Sequence, residues 1–384
     1  MDFELTEEQS MLQDMAKQFA EREMLPTLRD YERQHKMNYG LIKKMADQGL
    51  LAIHMPAEYG GGGLDYVSAV LVWEQLTRIS WTQTLASLGY MPLAGTIIVE
   101  SGSEEQKQKY LPPLCRGDIV VATAAVEPNV GSDAASIETT AKLDGDYWII
   151  NGSKNFITFS GIADVVFVLA TTDKSKGTKG IVLIAVDKDT PGYTRTPTQM
   201  VGGWTMDMCN INFSDCRVPR ENIIGEVGRG LQNNLVGIDS ARLFVATSAL
   251  GVSQGCLDAC VKYSLERSQF GNPLASYQLI QETLARMSAE IQAIRWQVYY
   301  AAYLKSKKLP HTKELSAAKW LASELAVKTS AEAIRLHGAY GCTDDFPVER
   351  HYRDSVLTTI LGGTTEMHKL MIGRSLTGIN AISK

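Results

Sequence analysis

Two short stretches of this sequence combine residue types that bind anions. Gly363 and Thr364 stand at the start of a predicted helix, where free backbone N–H groups attract negatively charged ligands. Arg267 follows another helical segment, and its planar guanidinium can donate to two oxygens of a diphosphate at once. Taken alone, Arg267 is more simply interpreted as a solvated helix charge, so the assignment depends on the rest of the sequence.

The cysteines and the net charge argue against two other kinds of site. None of the six cysteines is spaced CxxC, so reduced, buried thiols are expected rather than a disulfide framework. Cys256 and Cys260 share a helix face, but a closed metal site needs ligands that are not nearby in sequence, so no metal is expected. A net charge of −5 without a basic run argues against nucleic acid as the main partner.

The apolar segments predict a cytoplasmic protein. No uninterrupted apolar run reaches the roughly 18–20 residues needed to cross a bilayer. The first eight residues carry acids where a signal peptide needs a basic start and an apolar core. We therefore expect no membrane span.

Hydrophobic periodicity divides the chain into three zones. Residues 1–118 have helical spacing, with a capping box at Thr6-x-x-Gln9 and a boundary at Pro26. Residues 119–228 carry short β-branched runs at 147–150, 164–170, 180–186 and 210–213, which predict a β-sandwich or barrel. Residues 229–384 return to helical spacing in four segments, about 231–266, 278–307, 313–337 and 353–376, which predict an antiparallel bundle. The predicted fold is mainly α with a central β domain.

Six motifs in this order resemble the acyl-CoA dehydrogenase family. They are Met55-Pro56-x-Glu58-Tyr59-Gly60-Gly61, Glu127-Pro128-x-x-Gly131-Ser132-Asp133, Asn151-Gly152-x-Lys154-x-Phe156-Ile157-Thr158, Val218-Pro219-x-Glu221-Asn222, Glu266-Arg267-x-x-Phe270-Gly271, and Arg353-Asp354 followed by Gly363-Thr364. No single motif is strong, but their order on the predicted elements is very specific. The resemblance implies a helical domain, a β domain and a C-terminal four-helix bundle, with FAD between the last two. It also implies an acyl-CoA substrate, an electron-transfer flavoprotein partner and a homotetramer built from dimers.

The resemblance implies a flavin site on the β domain. Phe156 and Thr158 lie two apart on a predicted strand, so both are expected on one side, where the aromatic ring covers the flavin and the hydroxyl donates to it. Many relatives have tryptophan instead of Phe156. Ala125 and Val126 precede a Pro–Gly turn that can aim N–H groups at the flavin, although the family often has a threonine at Val126. Ser132 is expected at the flavin or at the CoA portion of the substrate.

The resemblance assigns the rest of the FAD to the bundle. Arg267, Phe270 and Gln278 match positions that hold the diphosphate and adenine of the partner subunit's FAD. Thr364 and Glu366 match positions at the diphosphate. Another FAD-contact stretch departs from the family, because Arg335 and Ala339 stand where glutamine and glycine are usual.

The catalytic glutamate of the family is missing at both of its usual positions. Removing a proton α to a thioester carbonyl needs a placed base. The glutamate that usually precedes the Gly-Thr pair is replaced by Gly362, and the alternative glutamate on an earlier helix is replaced by Ala241. The Gly362 N–H can still donate to the thioester oxygen. Leu361, Gly362, Arg242 and Ser132 are the expected substrate contacts.

Three explanations remain open from the sequence. The protein can desaturate or reduce an acyl-CoA with a base or acid elsewhere, for which Tyr90 and Asp239 are weak candidates. It can catalyse a reaction without α-proton removal at those positions, such as elimination of a sulfinate group or flavin-dependent oxygenation. It can also be a non-catalytic subunit that binds FAD and a thioester. The two small residues predict extra space beside the flavin, which suits a bulky or functionalised acyl group.

Overall fold

The computed structural model describes residues 4–381 and begins with a helical region. Its α-helices are α1 (Glu7–Phe19), α2 (Leu25–Gln34), α3 (Gly40–Asp47), α4 (Tyr66–Ile79), α5 (Trp81–Leu88), α6 (Thr96–Ser101) and α7 (Glu104–Cys115). The capping box is confirmed, because Thr6 Oγ1 accepts from the Gln9 N–H while the Gln9 side chain accepts from the Thr6 N–H. The boundary predicted at Pro26 corresponds to the start of α2 at Leu25. A π-helical turn at Ala20–Met24 joins α1 to α2 and accommodates the proline in the first turn of α2.

The middle region is one seven-stranded sheet. Its strands are β1 (Val121–Ala124), β2 (Thr140–Asp144), β3 (Tyr147–Thr158), β4 (Val165–Thr171), β5 (Ile181–Asp187), β6 (Tyr193–Pro197) and β7 (Met208–Pro219). They are ordered β1-β4-β2-β3-β7-β6, with β5 on the other edge of β4. Every residue of β4 is buried, as its unbroken apolar run predicts. The predicted central β domain is confirmed, and its strands form one curled sheet.

The C-terminal region is the helical bundle, formed by α8 (Gly230–Glu266), α9 (Gln278–Ser306), α10 (Thr312–His337), α11 (Val348–Thr358) and α12 (Thr365–Thr377). A hairpin of β8 (Ser268–Gln269) and β9 (Asn272–Pro273) joins α8 to α9. The single fourth helix predicted for 353–376 is wrong, since a turn with positive φ at Gly362 and Gly363 separates α11 from α12. α8 is long and apolar enough to cross a membrane, but 67% of its most apolar window is buried inside the fold.

A buried polar junction joins the three regions. Thr82 Oγ1 at the start of α5 lies 3.0 Å from Thr205 Oγ1 and donates to Asp354 Oδ2 of α11 at 3.1 Å. The other oxygen of Asp354 accepts from the Gly203 N–H at 2.8 Å. Because buried polar groups are costly without partners, this network fixes the loop before β7 against the bundle.

Candidate active site

The turn between α11 and α12 is held by two cations of the bundle. Arg242 Nε of α8 donates to the Gly362 carbonyl at 3.0 Å, and Lys319 Nζ of α10 donates to the Gly363 carbonyl at 2.7 Å. Both glycines are left-handed, with φ of 70° and 103°, which a side chain at either position would strain. The glycine pair therefore permits a tight turn whose carbonyls point to positive side chains.

The two positions of the missing glutamate meet in space. A Cβ placed on Gly362 would lie 3.6 Å from Arg242 Cα and 3.7 Å from Val245 Cγ2, so this turn packs against α8 beside Ala241. These are ordinary van der Waals distances, and the space itself would accept a side chain. Within residues 4–381 neither Arg242 nor Lys319 has a carboxylate within 4.0 Å of its charged nitrogens. The place of the usual base is therefore next to an arginine that lacks an ion pair.

The environment of this turn disfavours further positive charge. Lys319 is fully buried, and burial together with the nearby Arg242 lowers its pKa to about 7. Burial, Lys319 and Arg242 lower the pKa of His368 to about 3, so its imidazole is neutral at physiological pH. Burial also lowers the pKa of Arg242, but a guanidinium stays protonated. At least one full positive charge therefore remains at the turn at neutral pH.

A buried ion pair positions the loop that the sequence assigns to the flavin. Lys154 Nζ lies 2.8 Å from Glu127 Oε1, and their side chains are 0% and 1% exposed. The same ammonium donates to the Ala125 carbonyl at 3.2 Å, while the Glu127 carboxylate accepts the N–H groups of Glu138 and Thr139. Sequence reasoning quoted both residues as family landmarks but gave them no role, because their separation along the chain carries no signal of contact.

A bulge in β3 lies next to Phe156 and Thr158. The pairing with β7 shifts register between Lys154 and Ile157, and Phe156 is left-handed with φ of 58°. Exposure still alternates from Phe156 to Thr158 despite the bulge. Phe156 is 54% exposed and Thr158 is half-buried, with buried Ile157 between them. Two hydrogen bonds fix the bulge, from the Asn155 N–H to the Val126 carbonyl and from the Phe156 N–H to Asn210 Oδ1.

The residues around this bulge fit a flat, polar-edged ring such as a flavin. Val126 and Phe156 are both exposed apolar side chains, and the hydrogen bond between Asn155 and Val126 brings their backbones together. No hydrogen-bond partner within residues 4–381 is found for the N–H groups of Val126 and Ser132 on this loop, or for those of Gly362 and Thr364 on the separate turn between α11 and α12. Apolar faces beside free donors suit an aromatic cofactor whose edge accepts hydrogen bonds.

The two weak candidates for the base have different surroundings. Asp239 Oδ2 accepts from Lys305 Nζ at 2.7 Å and lies 2.8 Å from His311 Nε2. Burial alone raises the pKa of Asp239, but His311 and Lys305 outweigh it and lower the pKa to about 2. Tyr90 is fully buried without a partner for its hydroxyl within residues 4–381, and burial raises its pKa. Its ring meets that of Phe159 edge-on at 5.5 Å, just beyond the end of β3.

The residues assigned to the adenine half lie at the far end of α8. Arg267 caps α8, and its guanidinium lies 5.8 Å from the ring centroid of Tyr340, next to Ala339. Phe270 occupies the tip of the β8–β9 hairpin and is 95% exposed. Gln278 begins α9, and Arg335 lies in the last turn of α10. At 1.5 Å per residue, the end of α8 lies about 36 Å from Arg242.

Three family models cover nearly the whole chain. They describe the acyl-CoA dehydrogenase N-terminal domain at residues 6–118, the middle domain at residues 122–216 and the C-terminal domain at residues 228–377. The chain belongs to the acyl-CoA dehydrogenase family, whose members are FAD-dependent oxidoreductases acting on CH–CH bonds of acyl-CoA thioesters. The predicted family, fold class, cofactor and class of reaction are confirmed.

Individual relatives agree with this assignment. The chain is 38% identical to the short-chain specific acyl-CoA dehydrogenase of Clostridium acetobutylicum, over 97% of this chain and 98% of that one. It is 39% identical to acryloyl-CoA reductase (NADH) of Anaerotignum propionicum, over 98% of this chain and 96% of the relative. A solved structure described as the electron transferring flavoprotein of Acidaminococcus fermentans contains a chain with a TM-score of 0.96 and 40% identity. That match covers 98% of this chain and 100% of the solved one.

Proposed function

We propose that this chain oxidises or reduces the α,β bond of an acyl-CoA without a carboxylate at residue 241 or 362. The observation that carries the proposal is that these two positions converge at Arg242 and that neither has a side chain able to accept a proton. In desaturation a hydride passes from Cβ to the flavin while the proton at Cα passes to a base other than residues 241 and 362. In the reverse reaction Cβ receives the hydride and Cα receives the proton.

Each part of the site has a separate task. Bound FAD supplies the hydride exchange, and Val126, Phe156, Thr158 and Thr364 are the residues proposed to hold it. We propose that the Gly362 N–H, which has no partner within residues 4–381, donates to the thioester carbonyl oxygen, where negative charge develops in either direction. The positive charge of Arg242 favours the same charged state. Asp239 is a poor base because Lys305 and His311 stabilise its ionised form.

The same observation supports elimination from the acyl group, flavin-dependent oxygenation or a non-catalytic binding role. None of these requires a carboxylate beside Cα. Product analysis separates them, since reduction and desaturation change only the acyl hydrogen count, whereas elimination releases a small anion and oxygenation adds oxygen. A chain that binds FAD and acyl-CoA but converts none of them would have the binding role.

We further propose a cytoplasmic homotetramer that exchanges electrons with an electron-transfer flavoprotein. The resemblance to a chain in the Acidaminococcus fermentans structure supports the partner. The separation of about 36 Å along α8 between Arg242, beside the Gly362 turn, and Arg267 supports a cofactor shared between subunits. Exposed apolar residues on the bundle support subunit contacts: Trp296, Tyr300 and Tyr303 on α9, Leu321 on α10, and Leu370 and Leu376 on α12. Light scattering coupled to gel filtration measures the assembly, and a stable monomer would contradict the shared site.

The visible absorbance of the flavin tests the main proposal directly. The purified protein should be yellow, and anaerobic addition of butyryl-CoA or octanoyl-CoA should bleach it slowly or not at all. A panel of branched, cyclic and charged acyl-CoAs, with the corresponding enoyl-CoAs added to the reduced protein, identifies the substrate class and the direction. Rapid bleaching by the straight-chain esters would mean that an effective base exists elsewhere. A colourless protein that ignores added FAD would contradict a flavoenzyme altogether.

A further inference from the structure

The charges around the Gly362 turn do not balance. Arg242 on α8 and Lys319 on α10 both reach carbonyls of this turn, and His368 on α12 lies beside it. The acids that influence these groups are Asp239, Glu324 and Glu366, and none forms an ion pair with Arg242 or Lys319 within residues 4–381. Asp239 is already bound to Lys305 and His311. The turn therefore has a surplus of positive charge in a place largely shielded from water.

A surplus of this kind is unusual because an arginine cannot release its proton. Buried charges in proteins are normally paired, bound to a metal or neutralised by a shifted pKa. Lys319 can lose its proton near neutral pH, whereas Arg242 cannot. Arg242 donates its Nε–H to the Gly362 carbonyl, so the two terminal guanidinium nitrogens, Nη1 and Nη2, remain as donors. It remains partly exposed, so these nitrogens are open to a ligand.

Residues 241, 362 and 363 place no side chain longer than a methyl group beside this arginine. A Cβ built on Gly362 meets only van der Waals contacts at 3.6–3.7 Å, and a Cβ on Gly363 lies 3.3 Å from His368 Nε2 and 3.9 Å from Arg242 Nη2. Glycine at 362 and alanine at 241 thus place no polar or charged side-chain group next to Arg242. A planar carboxylate matches the guanidinium fork better than any neutral group of the same size.

We propose that the substrate's acyl group carries its own carboxylate and that Arg242 binds it beside the Gly362–Gly363 turn. This inference rests on the proposed acyl-CoA oxidoreductase function and specifies its substrate class as short dicarboxylic acyl-CoA thioesters. Arg242 is thereby a specificity-determining residue, because its pairing with the ligand compensates a charge that the protein leaves unpaired. Gly362 and Ala241 contribute by leaving the space that the carboxylate fills.

Isothermal titration of the oxidised, FAD-loaded protein with shape-matched esters tests the proposal. Malonyl-, succinyl- and glutaryl-CoA place a carboxylate at three distances from the thioester. Isopropyl-terminated acyl-CoAs of the same lengths replace that carboxylate by a neutral group of similar shape. We expect at least one dicarboxylic ester to bind at least about tenfold more tightly than its neutral match, and this preference should weaken as salt concentration rises.

Substitution of Arg242 separates the carboxylate contact from the structural one. Arg242→Gln keeps a donor for the Gly362 carbonyl but removes the charge, so the affinity of each dicarboxylic ester should fall to about that of its neutral match in the same variant, and the ratio of the two affinities is the readout. Arg242→Lys should retain part of the preference. If neutral and charged esters bind wild-type protein equally, the inference is overturned while the proposed function stands. If no CoA ester binds, the proposed function itself fails.

Discussion

A glutamate introduced at residue 241 should restore dehydrogenation of ordinary acyl-CoAs. Residue 241 lies within α8, where replacing alanine by glutamate costs only a few tenths of a kcal/mol in helix propensity. Its neighbour Arg242 contacts the Gly362 turn, so a carboxylate at 241 is added beside the site of the missing base. Placement on a regular helix avoids the backbone strain that residue 362 imposes.

The size of the effect follows from the chemistry of proton removal. A placed general base contributes about 10²–10⁴-fold in rate, which is roughly 3–5 kcal/mol of transition-state stabilisation. The adjacent guanidinium lowers the pKa of the new carboxyl, which keeps it ionised at neutral pH but weakens it as a base. We therefore expect the lower end of this range, about 10²-fold, for butyryl-CoA.

The assay is anaerobic flavin reduction by butyryl-CoA in a stopped-flow spectrometer. Ala241→Gln is the matched control, because glutamine has the same size and cannot accept the proton. Gly362→Glu should recover less activity and lower the melting temperature by about 1–2.5 °C, since a side chain at φ of 70° costs about 1–2 kcal/mol in a chain of 384 residues. Equal rates for Ala241→Glu and Ala241→Gln would refute the reasoning that an absent carboxylate limits this reaction.

Three other substitutions test the supporting structure. Lys154→Met leaves the Glu127 carboxylate buried without its partner and should lower the free energy of unfolding in urea by about 3–5 kcal/mol. The exposed control Lys142→Met should leave it almost unchanged. A decrease below about 1 kcal/mol for Lys154→Met would contradict the role of the buried pair. Asp239→Asn should lower the melting temperature at pH 7. Because the folded pKa of Asp239, about 2, lies below its ordinary value of 3.8, that stabilisation is present above pH 4 and fades towards pH 2, so a deficit that persists unchanged at low pH would refute it. Arg267→Ala should speed FAD release during ultrafiltration, with Lys262→Ala on the same helix end as control, and equal release from both variants would remove Arg267 from the cofactor site.

Local signals in the sequence predicted the elements better than their interruptions. The capping box at Thr6 was confirmed because it depends on residues three apart. Pro26 marks the start of α2, but the π-helical turn before it, which has no reliable sequence signature, keeps the chain helical from α1 to α2. The glycine pair at 362–363 lies inside the segment predicted as one helix, although two left-handed glycines divide α11 from α12.

Contacts between residues far apart in the sequence could not be predicted. Periodicity places Phe156 and Thr158 on one strand but cannot show the bulge between Lys154 and Ile157. Burial shows a similar limit. All six cysteines are free and were expected to be buried, but Cys342 is exposed while the other five are buried. The contact between Arg242 and Gly362 joins residues 120 positions apart, so only the fold could bring the two vacant positions together.

The position of that contact links the missing base to the choice of substrate. A carboxylate at residue 241 or 362 would lie beside Arg242 and neutralise it, and the site would then favour neutral acyl groups. Without that carboxylate the arginine remains positive, since neither Asp239 nor any other described acid reaches it. The absence of a carboxylate base therefore also leaves Arg242 available to bind an anionic acyl group. It follows that Ala241→Glu should weaken the binding of dicarboxylic acyl-CoAs while it accelerates butyryl-CoA, because one carboxylate cannot share the guanidinium fork with another without repulsion.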